Sequence, residues 1–87
     1  MSEETLLEFP CDFPIKIMGK ASSHFIALAR ELVEKHTGPL ADEAFATSFS
    51  RNGKFTSVTA TIRAESQEQL DNIYRELTSN DEVLMAL

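Results

Sequence analysis

The stretch "EAFATSFSRNGKFTSVTATIRA", Glu43 to Ala64, decides the fold. Two segments rich in phenylalanine, threonine and β-branched residues flank "SRNGK". Within it, Asn52-Gly53 is a strong short-range signal for a tight hairpin, because both residues tolerate positive φ. Val58, Ala60 and Ile62 alternate with Ser57, Thr59, Thr61 and Arg63. One face of that segment is therefore apolar and the other wet. The hairpin fixes two antiparallel strands in the middle of the chain, and the flanking segments say how they are covered.

Upstream lies "SSHFIALARELVEKHTGP", Ser22 to Pro39, with Phe25, Leu28, Ala29, Leu32 and Val33 on one helical face. Ser22 or Ser23 supplies the cap. Lys35 and His36 sit in the last turn, where cations suit the dipole, and Thr37-Gly38-Pro39 stops the helix. Downstream, Ser66 and Gln69 have capping-box spacing, Leu70, Ile73, Tyr74 and Leu77 form a second stripe, and Asn80-Asp81 ends it before "EVLMAL". Those last residues read as a short strand. Near the start, Phe13, Ile15 and Ile17 alternate with Pro14, Lys16 and Met18 up to Gly19, which reads as a half-buried strand. Pro10 and Pro14 hold Phe9 to Pro14 extended.

The order is strand, helix, strand, strand, helix, strand. With right-handed crossovers this predicts an α+β, ferredoxin-like βαββαβ sandwich: a four-stranded antiparallel sheet with two helices on one face. Residues 1–12 read as an extended N-terminal arm and residues 13–87 as a single ferredoxin-like domain. Leu6, Leu7 and Phe9 are expected to pack, on their own domain or on a partner.

Composition narrows the function. Fourteen acidic residues against eight basic ones give a net charge of −6. That opposes binding to phosphate backbones and to anionic lipid headgroups, so neither nucleic acid nor a membrane surface is expected as a partner. The start, Ser2-Glu3-Glu4, is acidic, and Glu8, Pro10, Asp12 and Pro14 interrupt the apolar run after it. It does not read as a secretory signal, and a lone Cys11 suits a reducing compartment, so a cytoplasmic location is expected. With no base placed near it by the sequence, Cys11 reads as an inert thiol.

Chemistry is sparse. The fold's RNA-binding form stacks bases on strand aromatics, whereas "NGKFTSVTATI" offers Phe55 followed by small residues. A metal-carrying form needs a cysteine pair after the first strand, and "MGKASSH" has none. His24 and His36 stand twelve residues apart on one helix, too distant to share an ion. The acidic residues Glu31, Glu34, Glu65, Glu68, Asp71 and Glu76 read as solvated helix faces, with Arg30–Glu34 and Asp71–Arg75 at ion-pair spacing. No catalytic residue, metal site or cofactor follows from these patterns.

Two candidate sites remain. Gly19, Lys20, Ser22 and Ser23 lie at a helix N-terminus, where free N–H groups attract anions, although both serines are equally explained as caps. The open sheet face would present Lys16, Met18, Thr59, Thr61 and Arg63, with Phe45 and Phe49 joining them if the second strand turns its larger side chains outward.

The chain also resembles the YbeD-like family of small bacterial proteins. The likeness is carried by Leu6-Leu7-Glu8-Phe9-Pro10, Phe13, Lys16 and Met18-Gly19, then Ser50, Gly53, Ser57-Val58, Tyr74, Glu76 and Leu77. The resemblance implies the same ferredoxin-like fold and a similarity to ACT domains, which bind amino acids or similar metabolites between paired subunits. It supplies no catalytic residues. The expectation is a non-catalytic regulatory or adaptor domain, with a protein partner or self-association and a small metabolite as a further possible ligand. The alternatives are an ACT-like dimeric amino-acid sensor and, more remotely, a small anion-binding enzyme built on Lys20 to Ser23.

Overall fold

The structure, a computed structural model, describes residues 8–87. Strand β1 (Cys11–Lys20) leads into helix α1 (Ser23–Thr37), and a short 3-10 turn (Asp42–Ala44) precedes β2 (Phe45–Phe49). Strand β3 (Phe55–Ala64), helix α2 (Gln67–Thr78) and β4 (Val83–Ala86) complete the order. The sheet runs β2-β3-β1-β4 with every neighbour antiparallel. This is the ferredoxin-like sandwich that the hairpin and its flanking helices predicted.

β1 starts two residues earlier than the alternation suggested, with Cys11 opposite Ala64 and Asp12 opposite Arg63. The prolines permit this. Lys16 and Leu87 exchange backbone hydrogen bonds of 3.0 and 2.8 Å. Residues an even step from Lys16 therefore turn their backbone toward β4. Pro14 is one of them, and its ring nitrogen faces an edge that β4 does not reach, where no ladder donor is required.

Residues paired directly across antiparallel strands share a face. Ile15 and Ile17 thus join Val58, Ala60 and Ile62 beneath α1 and α2. They meet Phe25, Ala29, Leu32 and Val33 from α1 and Leu70, Ile73 and Leu77 from α2, all exposed by 5% or less. Burying each larger member contributes on the order of 1.5–3 kcal/mol. Phe9, Cys11 and Phe13 lie half-buried against this core, so Phe9 packs on its own domain. Leu6 and Leu7 lie outside the described residues.

Both caps form: Ser22 Oγ accepts from Phe25 N–H at 2.9 Å and Ser66 Oγ from Gln69 N–H at 3.1 Å. The predicted capping box is altered, however. Gln69 Oε1 accepts from Glu65 N–H (2.7 Å), and its amide donates to the His36 carbonyl (2.9 Å), so the side chain also joins α2 to the end of α1.

The hairpin is looser than Asn52-Gly53 implied. Ser50 N–H donates to the Phe55 carbonyl (2.9 Å), leaving Arg51 to Lys54 as the loop, and only Gly53 has positive φ, at 73°. Asn52 acts through its side chain instead. Its Oδ1 accepts from Ser50 Oγ (2.8 Å) and from Lys54 N–H (3.1 Å), while Ser50 Oγ accepts from Phe55 N–H (3.0 Å).

Candidate functional site

The turn after β1 is packed rather than open. Gly19 is buried, and the ring of Phe25 lies where a Cβ on Gly19 would sit. Ser22 spends its hydroxyl on the cap, and Ala21 N–H donates to the Lys54 carbonyl at 3.0 Å, stitching the turn to the hairpin. Lys20 and Ser23 are exposed, and Lys20 borders a shallow hollow with Asp81, Glu82 and Leu84. The four residues expected to hold a ligand are neighbours, yet two of them serve the fold. Gly19 is there because an aromatic ring needs the space.

The open face follows from register. Lys16 lies opposite Thr59, Met18 opposite Ser57, Pro14 opposite Thr61 and Asp12 opposite Arg63. Lys16, Met18, Thr59, Thr61 and Arg63 therefore sit where the alternation put them. Arg63 approaches Asp12 at 3.6 Å.

Phe45 and Phe49 do not join them. Phe45 is opposite Ala60 and Phe49 opposite Thr56, both on the helix side, so β2 turns Ala46 and Ser48 outward instead. Phe45 is half-buried against the core, with the Arg30 guanidinium 4.7 Å from its ring centroid. Arg30 is held there by Asp42 (2.7 Å), Glu34 (3.2 Å) and the Leu40 carbonyl (2.9 Å). Phe49 lies beyond that cover and stays 64% exposed.

The residues that sequence reasoning missed lie in β4 and directly after it. Met85 is opposite Met18, and Leu87 faces Lys16 through their paired hydrogen bonds. Gly19 pairs with Val83, so Leu84 is an extra residue at a bulge. A bulge of this kind lets two successive side chains point to one side. Leu84, Met85, Leu87 and Phe55 are between 38% and 63% exposed, and with Met18 they form an apolar corner on the open face. The signal in the sequence was Leu84-Met85, two large apolar residues in succession that a period of two cannot bury together. Beside the corner, Ser57 is buried with its hydroxyl unpartnered.

Charge on this face is mixed. By register β1 and β3 place Lys16, Lys20 and Arg63 on it against Asp12, and Asp81 and Glu82 border the same hollow as Lys20, so Lys16 is the cation nearest the middle of the face. The helix side is different. Glu76 accepts from Lys35 (3.0 Å) and pairs with His36 Nε2 (2.9 Å), clamping α2 to α1. These hydrogen bonds, His36 first and then Lys35, hold the Glu76 carboxyl below its ordinary range. Arg30–Glu34 forms as its spacing suggested. Asp71 instead accepts from Gln67 and Arg75 turns to Asn72, so the expected Asp71–Arg75 pair is not made. Among the described residues no group of three or more histidine, cysteine or carboxylate side chains converges, and no helix is long and apolar enough to cross a membrane.

Comparison with known proteins bears on the family and the fold. Residues 4–87 match the model of a family described as "Protein of unknown function (DUF493)". A UPF0250 protein of Nitrosomonas europaea is 42% identical over 87 residues, covering all of both chains. Another, from Chromobacterium violaceum, is 43% identical over 89 residues and also covers both completely. The solution structure of protein HP0495 from H. pylori shares the fold at a TM-score of 0.75, with 19% identity over 99% of this chain and 90% of that one. The chain belongs to the DUF493 family, the small bacterial UPF0250 proteins also called YbeD-like.

Proposed function

We propose that this is a non-catalytic adaptor domain of the cytoplasm, which acts by binding another protein through its open sheet face. The observation that carries the reading is the apolar corner of Met18, Phe55, Leu84, Met85 and Leu87 beside Lys16 and Lys20. Exposed apolar clusters rimmed by polar residues mark interaction surfaces. The local charge supports a choice of partner. Two copies set face to face would oppose lysine with lysine, whereas a partner with apolar side chains and carboxylates would satisfy both features.

The amino-acid-sensor alternative has less support, since Gly19 packs against Phe25 and Ser22 is committed to its cap. An anion-binding enzyme built on the same turn meets the same objection.

The test is native mass spectrometry of the protein drawn gently from its own cell extract, beside a Met85→Lys variant. The wild type is expected to carry a protein partner that the variant loses while its circular dichroism is unchanged. A partner that stays bound to Met85→Lys and to Leu84→Lys alike rules the corner out. A bound small-molecule mass with no protein would favour the sensor instead.

A further inference from the structure

β2 is the outer strand at the edge opposite β4. Edge strands are commonly guarded by charge, proline or a bulge. Phe45 to Ser50 has no charge and no proline, and the β2–β3 ladder runs without a bulge. Because Ser50 N–H bonds toward β3, alternation turns the backbone of Ala46 and Ser48 the same way and that of Phe45, Thr47 and Phe49 outward. The Phe45 amide is taken by the Asp42 carbonyl. The outward amides of Thr47 and Phe49, and the outward carbonyls of all three residues, remain to pair.

We propose that a second copy of the chain pairs with this edge, β2 against β2 and antiparallel, about a two-fold axis at Thr47. The strand's own sequence is the argument. Phe-Ala-Thr-Ser-Phe reads nearly alike in both directions about Thr47, which is what a two-fold interface requires of a segment that meets itself. In this register Thr47 faces Thr47, Phe45 faces Phe49 and Ala46 faces Ser48. Outward groups meet outward groups: the Thr47 amide donates to the opposite Thr47 carbonyl, and the Phe49 amide to the opposite Phe45 carbonyl. A slip of one residue would set outward groups against inward ones. On the helix side, exposed Phe49 gains the second copy's Phe45 as a cross-strand aromatic neighbour.

Charge agrees with the same register. Two steps beyond the paired residues, the register sets Glu43 toward the second copy's Arg51, and the two-fold axis repeats the pair. Both residues are exposed. The net charge of −6 opposes association through the acidic helix surfaces, whereas the β2 edge is locally neutral. The product is one continuous sheet with the apolar corners at its two far ends. The proposal does not use those corners, so it stands or falls separately from the adaptor reading.

The test is sedimentation velocity of the full chain from micromolar to millimolar concentration. The wild type is expected to show a reversible dimer. Thr47→Pro removes the donor at the axis without taking a bond from β3, and should raise the dimer dissociation constant by about tenfold or more, equivalent to about 1.4 kcal/mol. Glu43→Arg should weaken the dimer severalfold, and adding Arg51→Glu should restore it. That rescue decides the matter even if the proline variant does not fold. Met85→Lys should leave the dimer intact. A wild type that stays monomeric throughout, a dimer indifferent to Thr47→Pro, a charge reversal without rescue, or a dimer abolished by Met85→Lys would each overturn the proposal.

Discussion

The two faces of the sheet are built from the same strands, one residue out of step, and they have different fates. Ile15, Ile17, Val58, Ala60 and Ile62 are closed under the helices and are at most 1% exposed. Their neighbours Lys16, Met18, Thr59 and Thr61, with Met85 and Leu87 of the β4 segment, point the other way. Apolar side chains occur on both faces, so hydrophobicity alone does not distinguish them. Cover does. A side chain under a helix contributes to folding, while one on the bare face costs little to change and is free to serve contact.

The sharpest way to break this comparison is to truncate one residue on each face. Ile17→Ala should destabilise by about 2–5 kcal/mol through the cavity it leaves. Met85→Ala should stay within about 0.5 kcal/mol, as exposed substitutions do. Urea denaturation compares the two directly. Equal losses would make the corner part of the core.

A smaller effect sharpens the boundary where β1 meets α1. Gly19→Ala should cost about 1–3 kcal/mol by forcing a methyl group into the Phe25 ring. Combined with Phe25→Leu, that cost should shrink, and a double-mutant cycle measures the coupling. Two independent, additive losses would mean that the glycine is not there for the ring.

The smallest effect falls on the outer surface of the covered side. Glu76 has its folded pKa lowered from 4.5 by His36 and Lys35. Its contribution is therefore complete above the unfolded value and is lost as pH falls through the folded one. Glu76→Gln should cost up to about 1 kcal/mol at neutral pH, in the range of partly exposed ion pairs. The gap to the wild type should close on acidification. Unfolding curves at a series of pH values follow it, and a gap that does not vary with pH would remove the clamp from the account.

All four strands and both α-helices were legible, because alternation in β1 and β3 and the two helical stripes are strong patterns that share one core, whereas the 3-10 turn before β2 was read as a plain loop. What was not legible depended on tertiary pairing. β2 is an edge strand only five residues long, and its alternation of large and small side chains fits either face until Phe45 is seen opposite Ala60. The bulge at Leu84 exists only against Met18 and Gly19 of β1. The site expected at Gly19 to Ser23 rested on residue types that suit both anion binding and capping, and the cap plus one aromatic ring accounts for Gly19 and Ser22. The open face was read correctly along β1 and β3, but Leu84, Met85 and Leu87 of its apolar corner lay in the last six residues, to which no face was assigned.

The central pairing of β1 with β3 also sets a timetable for the chain during synthesis. Lys20 must wait for Phe55 and Cys11 for Ala64, partners 35 and 53 residues further on by subtraction of their numbers. At roughly 5–20 residues per second, that leaves β1 without its main neighbour for seconds. Through that interval its apolar side chains, Phe13, Ile15 and Ile17, are a template for the wrong strand. Pro10, Pro14 and Lys16, which look incidental in the finished sheet, interrupt that template while it waits. The prolines that stiffen the entry to the domain thus also act as gatekeepers of a nascent strand.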